Sequence, residues 1–187
     1  MVRISATGIL AIFLICVASG TAQRMGGGAY AAGNDPHMTM GSPSQDYDFV
    51  KNSMNVVSAE VEWSKIANAK ATNDNVKTLA NETITQDNTV ASRLVTEAQA
   101  QKIQVPNGLS GKYKKEADKL NGLSGDAFDK EYVSALIKLQ HDDVGAMREE
   151  AKTSKNSSLA DFATKTADQA TARNDEAKTI EKQLGGK

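Results

Sequence analysis

Four long amphipathic stretches between Gln45 and Gln183 constrain this chain more than any other feature of its sequence. In each stretch the apolar residues recur every three or four positions, which is the spacing of one face of an α-helix. The chain is therefore predicted to be all-α, with four long helices packed as an antiparallel bundle. The second stretch shows the pattern most clearly, and its inner positions are Val76, Leu79, Ala80, Thr83, Asp87, Val90, Leu94 and Ala98.

Capping and helix-stopping residues give the predicted limits of these helices. The first helix is expected to end near Lys70, and the proline and glycine of segment 105–108 stop the second. A short extra helix, roughly over residues 111–120, is predicted between helices two and three. The residues predicted to start or cap the four long helices are Ser44, Thr72, Gly125 or Asp126, and Ser157 or Ser158.

Each long helix carries one polar residue on or beside its inner face. An unpaired polar group removed from water costs about 1–3 kcal/mol, and a lone charge costs far more. These residues are therefore interpreted either as a cross-linked structural layer or as the remnant of a ligand site. In the structural interpretation Asp87 and Arg173 form a bidentate ion pair, while the other members accept from the remaining guanidinium donors. The set consists of Glu60, Asp87, Gln140 and Arg173, with Asp143 one turn beyond Gln140.

The N-terminal residues have the three-part layout of a secretory signal. A basic start is followed by a short apolar run, Gly8 to Val17, and by small residues that place cleavage before Gln23. The alternative is an uncleaved N-terminal anchor. Cys16 leaves with the signal, so the mature chain has no thiol. The predicted organisation is a signal peptide at 1–22, a flexible low-complexity linker at 23–43 and a helical domain at 44–187.

Composition and motifs exclude several classes of function. The 22 basic and 23 acidic side chains are evenly mixed, which predicts neither nucleic-acid binding nor a polybasic membrane patch. No transmembrane span is expected after signal cleavage. The sequence has no glycine-rich phosphate loop, no zinc-ligand spacing and no recognisable catalytic triad. The protein is therefore expected not to be an enzyme and to need no cofactor.

A metal ion is the alternative cofactor, and two sets of residues could supply ligands. The linker holds His37, Met38 and Met40, soft ligands of the kind that bind cuprous ions, although a disordered linker that happens to contain them is favoured. In the helical domain, carboxylates from the polar set would have to bind without help from imidazole, and Arg173 would repel a cation. His141 is interpreted as a solvated surface residue.

Three segments carry a resemblance to a known family, at residues 49–77, Val105–Pro106 and 123–133. From Asp46 to about Gln183 the chain resembles the secreted bacterial proteins grouped as domain of unknown function 4142, often labelled predicted outer membrane proteins. The resemblance implies a ferritin-like four-helix bundle and no established activity. An internal similarity between 76–83 and 159–166 also fits two related helix pairs, although helical patterning alone could produce it.

The resemblance also implies site residues that this chain lacks. Typical members of the family have a glutamate at the position of Glu60 and histidines at three later positions. Those histidine positions correspond here to Asp87, Gln140 and Arg173, so the chain departs from the pattern at all three. A metal site built from histidine and carboxylate is therefore in doubt for this sequence.

Two hypotheses about function follow. The first is a secreted or periplasmic, non-catalytic bundle that serves as a structural or interaction module of a bacterial cell envelope, either in the periplasm or at the outer envelope. Its partner is not identified by the sequence, and an envelope protein is one candidate. The alternative is a ferritin-like protein that binds a metal ion.

Overall fold

The computed structural model of the 187-residue chain describes residues 45–105, 107–109 and 111–185. The expected signal peptide at 1–22, the linker at 23–43 with His37, Met38 and Met40, and the predicted cap Ser44 lie outside the described residues. In the described part the prediction of an all-α chain is confirmed, since it contains five helices and no strand. The helices are α1 (Gln45–Lys70), α2 (Asp74–Ala100), α3 (Gly111–Gly122), α4 (Gly125–Thr153) and α5 (Ser157–Gln183).

Side-chain contacts show how the long helices run relative to one another. Gln45 at the start of α1 donates a hydrogen bond to Thr153 at the end of α4. Asn75 at the start of α2 donates to Gln183 at the end of α5, over 3.0 Å. Both pairs of helices are therefore antiparallel, and the short connections between α1 and α2 and between α4 and α5 fit the same arrangement. No helix in the described part is both long and apolar enough to cross a membrane.

The apolar interior is divided into two clusters at different heights along the helices. The first cluster includes Trp63, Leu79 and Phe128, and it lies towards the end of the molecule that α3 covers. The second includes Leu94 and Met147 and lies towards the other end. On α2, α4 and α5 the polar residue singled out from the sequence lies between the residues that enter these two clusters, and on α1 Glu60 lies at their border, between Val57 and Trp63. The polar residues therefore occupy a layer between two apolar regions.

Two predicted helix caps are wrong by one or two residues. The N-cap of α2 is Asn73, whose side chain accepts hydrogen bonds from the backbone N–H groups of Asn75 and Val76. Thr72 does not serve because its hydroxyl donates to Asp129 of α4, over 2.7 Å. The N-cap of α5 is Asn156 rather than Ser157 or Ser158, since asparagine at this position reaches the free N–H groups of the first turn.

The predictions for the short helix and for the start of α4 agree with the structure. The helix α3 covers 111–122, close to the predicted range, and packs against α1 and α4. The indole Nε1–H of Trp63 in α1 donates to the backbone oxygen of Tyr113 in α3, over 3.1 Å. The helix α4 begins at Gly125, whose φ of +58° lies in the left-handed region that glycine adopts without strain.

A buried charge layer as the candidate functional site

The polar residues predicted to lie inside form one group, which we call the charge layer. Glu60 comes from α1, Asp87 from α2, Gln140 and Asp143 from α4, and Arg173 from α5. All five are buried, and none of them is more than 7% exposed. They occupy inner positions because each follows its helix's apolar residues at steps of three or four.

Arg173 is the centre of this layer. Its Nη1 donates to Asp87 Oδ1 over 2.8 Å and to Gln86 over 3.2 Å. Its Nη2 donates to Glu60 Oε2, also over 2.8 Å. The groups around the Gln140 amide favour the orientation in which its oxygen faces Arg173. In this orientation the oxygen accepts from Arg173 Nε over 2.6 Å. The guanidinium group therefore connects helices α1, α2, α4 and α5 at one level.

The bidentate pair of Asp87 and Arg173 expected from the sequence is not formed. Asp87 accepts from one guanidinium nitrogen only, because Glu60 takes the other terminal nitrogen. The arrangement is a bridge in which one cation lies between two carboxylates. Glu60 and Gln140 do take the remaining donors, as the structural interpretation expected.

The two carboxylates also affect one another. Glu60 Oε1 and Asp87 Oδ2 are buried and have no hydrogen-bond partner among the described residues. Burial raises the pKa of Glu60 well above its ordinary value of 4.5, and the neighbouring charge of Asp87 raises it further, while Arg173 acts in the opposite direction. A proton on Glu60 allows its side chain to donate a hydrogen bond to Asp87, which relieves the repulsion between the two groups.

Asp143 lies at the edge of the layer, outside the hydrogen-bond network of Arg173. It is 7% exposed, and burial raises its pKa to about 7, with the charge of Asp87 adding to the effect and Arg173 opposing it. When Glu60 and Asp143 are protonated, the layer contains one carboxylate and one guanidinium and carries no net charge. The net charge of the layer therefore depends on whether Glu60 and Asp143 are protonated.

The space inside the layer limits what it can do chemically. Its cavity, lined by Glu60, Asp87, Asp143 and Arg173 among others, has a volume of about 10 Å³, which is room for about one water molecule at most. Within the described ranges, no three His, Cys, Asp or Glu side chains are arranged so that they could hold a metal ion. His141 is exposed, in agreement with its interpretation as a surface residue.

Buried polar residues outside the predicted set also lie between the helices. The Asp129 carboxylate accepts from the backbone N–H groups of Thr72 and Asn73, and so joins α4 to the α1–α2 connection. The hydroxyl groups of Tyr132 and Ser64 are 2.9 Å apart, and burial raises the pKa of Tyr132. Glu150 is 2% exposed. The signal that could have identified Glu150 is its spacing, because it continues the series Gln140, Asp143, Met147 along α4.

The comparisons with known proteins concern almost the whole helical region. The model of the family described as Domain of unknown function (DUF4142) matches residues 31–180. Among curated proteins, none matches the chain.

Two solved structures share the fold. A protein from Streptomyces coelicolor, described as a secreted DUF305 protein, superposes with a TM-score of 0.69 at 14% identity, over 78% of this chain and 95% of that chain. A conserved hypothetical protein from Mycobacterium tuberculosis superposes with a TM-score of 0.60 at 13% identity, over 75% of this chain and 99% of that chain. At these identities the similarity concerns the fold alone.

Proposed function

The chain belongs to the family described as Domain of unknown function (DUF4142), and we propose that it is an exported, non-catalytic four-helix-bundle protein with a structural or interaction role in the bacterial cell envelope. The observation that supports this best is the hydrogen bonding of Arg173. Its donors are used by Glu60, Asp87 and Gln140, and the cavity beside them holds about one water molecule at most. Such a layer cross-links helices and offers no space to a substrate.

The ferritin-like, antiparallel form of the bundle is part of the same proposal. It is supported by the opposite directions of α1 and α4 and of α2 and α5, and by a polar layer to which all four long helices contribute. In bundles of this kind, inward-facing polar side chains meet at one level of the core. Here that level is occupied by a guanidinium group, so the layer fixes the register of the helices.

Export is proposed from the N-terminal sequence, which has a basic start, a short apolar run and small residues before Gln23. The description of the Streptomyces coelicolor structure as a secreted protein gives this proposal some support from a chain of the same fold. The periplasm and the outer envelope are the two proposed destinations, and an envelope protein is the proposed class of partner.

Metal binding is the alternative function, and the geometry favours it less. Glu60, Asp87 and Asp143 bring three carboxyl groups to one small cavity. Arg173 already provides the cation that two of these groups need, at 2.8 Å from each. A divalent ion would have to enter beside a fixed positive charge, which repels it.

The experiment uses the full chain, expressed with its own N-terminal segment in a bacterium. Cell fractionation and the N-terminal sequence of the purified protein test export, and elemental analysis measures the metal content. A variant in which the layer is apolar (Glu60→Leu, Asp87→Leu and Arg173→Met, the apolar-layer variant) is then compared with the wild type by cross-linking in cells. Asp168→Asn, on the exposed side of α5, is the matched control.

We expect an envelope location, no stoichiometric metal, and the same cross-linked partners for the wild type, the control and the apolar-layer variant. A protein that stays in the cytoplasm with Met1 intact contradicts export. Metal bound at one ion per chain and lost in the apolar-layer variant supports the alternative function. A folded apolar-layer variant that loses its partners would show that the layer takes part in function directly.

A further inference from the structure

A groove between α1 and α4 lies outside the charge layer and has features of a ligand site. Its volume is about 290 Å³, close to the lower limit of pockets that bind small molecules. Phe49 and Val56 of α1 and Leu139 of α4 supply apolar surface along it. The start of α3 closes one end with Lys112 and Tyr113. The groove is therefore long, partly apolar and bounded at one end.

The charged side chains along this groove are mostly acidic and are arranged in two pairs. Asp142 and Asp143 form the first acidic pair, and Glu149 and Glu150 form the second. The pairs are seven residues apart on α4, which is two helical turns or about 10.5 Å. Because α1 and α4 are antiparallel, Asp48 near the start of α1 lies towards the second pair.

Two of these carboxyl groups are buried, and one of them, Glu150, has an oxygen atom without a hydrogen-bond partner although it also contacts Gln45 and Asp46 of α1. This oxygen is the strongest sign of a missing ligand. Glu150 is 2% exposed, and its Oε1 accepts no hydrogen bond from the described residues. Asp143 is 7% exposed and lies outside the hydrogen-bond network of Arg173. A buried carboxylate without a partner is costly, and a cation placed in the groove would lower that cost at both positions.

The spacing of the acidic groups decides what kind of cation fits. No three of the described carboxylates converge on one point as metal ligands do. They are instead separated along an apolar surface, which suits a chain of methylene groups with a positive charge at each end. Lys112, the one basic residue that lines the groove, lies over the Tyr113 ring at 5.2 Å from its centroid, at the closed end.

We propose that the groove between α1 and α4 binds a linear aliphatic polyamine. One terminal ammonium group lies at the first acidic pair and the other at the second. The chain between them, which in spermidine carries one secondary ammonium group, passes along Phe49. The site goes beyond the proposed function and does not depend on it, because the groove and the charge layer share Asp143 only. An ammonium group at each pair would donate charge-assisted hydrogen bonds to the carboxylates, and such bonds are stronger than neutral ones.

Isothermal titration calorimetry of the mature protein with spermidine tests this proposal at low ionic strength, where charge interactions are not screened. Putrescine has too short a chain to reach both acidic pairs, and propylamine has one charge only. We expect one spermidine per protein, with an affinity at least about tenfold higher than that of putrescine, since one ammonium contact of about 1.4 kcal/mol changes affinity tenfold. Mg²⁺ is expected to bind more weakly than spermidine.

Variants at each acidic pair show whether both ends of the groove are used. Asp143→Asn and Glu150→Gln should each weaken spermidine binding at least about tenfold, and Asp168→Asn, an exposed acid on α5, should leave it unchanged. Both site variants remove a buried charge, so they are expected to fold. If circular dichroism shows otherwise, Asp142→Asn and Glu149→Gln, at exposed members of the same pairs, replace them.

Several results would overturn the proposal. Spermidine binding that is unaffected by changes at either acidic pair would show that the groove is not the site. An equal loss in Asp168→Asn would show that only overall negative charge attracts the ligand. Equal affinity for spermidine and propylamine would contradict contacts at both ends, and tighter binding of Mg²⁺ would make the site one for a divalent ion. None of these results changes the role proposed for the charge layer.

Discussion

The bridge that Arg173 makes predicts unequal effects when its members are removed. Arg173→Met leaves Glu60 and Asp87 buried side by side without a cation. Asp87→Leu is milder, because the guanidinium group keeps its contact with Glu60 over 2.8 Å. In the apolar-layer variant all three charged groups of the bridge are gone, and the amide oxygen of Gln140, which accepts from Arg173 Nε, is the member of the layer that loses its partner.

The magnitudes follow from the contacts that each change removes. Removing one partner of a buried ion pair costs about 3–5 kcal/mol, and we expect this for Arg173→Met. Loss of one charge-assisted hydrogen bond, as in Asp87→Leu, should cost about 1.5–3 kcal/mol. Replacing a whole buried ionic group with apolar residues is often neutral or stabilising by about 1–4 kcal/mol. The single changes Arg173→Met and Asp87→Leu should therefore cost more in sum than the apolar-layer variant does, although that variant replaces Glu60 as well.

Urea unfolding followed by circular dichroism gives the free energies of unfolding near neutral pH. Lys178→Met is the control, because Lys178 is on the same helix and pairs with Asp175 at the exposed surface, where such pairs contribute about 0–1 kcal/mol. An Arg173→Met variant within about 1 kcal/mol of the wild type would refute the reasoning. So would an apolar-layer variant whose loss of stability equals the sum of the single changes.

Two further predictions concern buried carboxyl groups. The free energy of unfolding should fall as the pH rises from about 5 to about 8, because the folded protein binds more protons than the unfolded chain in that range. Burial raises the pKa of Asp143 and of Glu150 to about 7 from ordinary values of 3.8 and 4.5, so their stabilising effect is present at low pH and is lost as the pH rises through 7. Urea melts at several pH values should show that the free energy of unfolding depends less steeply on pH in Asp143→Asn and Glu150→Gln than in the wild type. The same steepness in wild type and variants would show that these two groups do not cause the pH dependence. Separately, Asp129→Ala should lower the free energy of unfolding by about 1.5–3 kcal/mol, because the backbone N–H groups of Thr72 and Asn73 lose their acceptor. Asp126→Ala, at an exposed position in the same helix, should lower it by less than about 1 kcal/mol. Equal losses in these two variants would show that the buried contact has no special effect.

The helical pattern located the layer because it determines which side of each helix faces inwards. A residue that follows apolar neighbours at steps of three or four must share their face, so the burial of Glu60, Asp87 and Arg173 could be expected from their positions alone. Periodicity does not determine how far one helix is shifted along another. The bridge between Glu60 and Asp87 depends on that shift, and the sequence therefore suggested a bidentate pair that the structure does not contain.

The residues that the sequence did not reveal are those whose role depends on a distant segment. Thr72 is a good cap by residue type, but its hydroxyl donates a hydrogen bond to Asp129, far along the chain on α4, and Asn73 becomes the cap. Glu150 lies in the last turns of α4, where its spacing from Met147 indicates the inner face, but its contacts with Gln45 and Asp46 of α1 cannot be deduced from that spacing. Contacts of this kind can be read only from the folded chain.

The departure from the implied histidine pattern has a physical consequence for the layer. Imidazole and carboxylate side chains together form a set of metal ligands, whereas Arg173 brings a cation that is covalently attached. The charge of this layer is adjusted by protons on Glu60 and Asp143. Exchangeable cations are then more readily accommodated outside the layer, where the α1–α4 groove has acidic side chains without guanidinium partners. Asp143 lines both spaces, so a cation in the groove would favour its ionised form and change the charge of the layer without entering it.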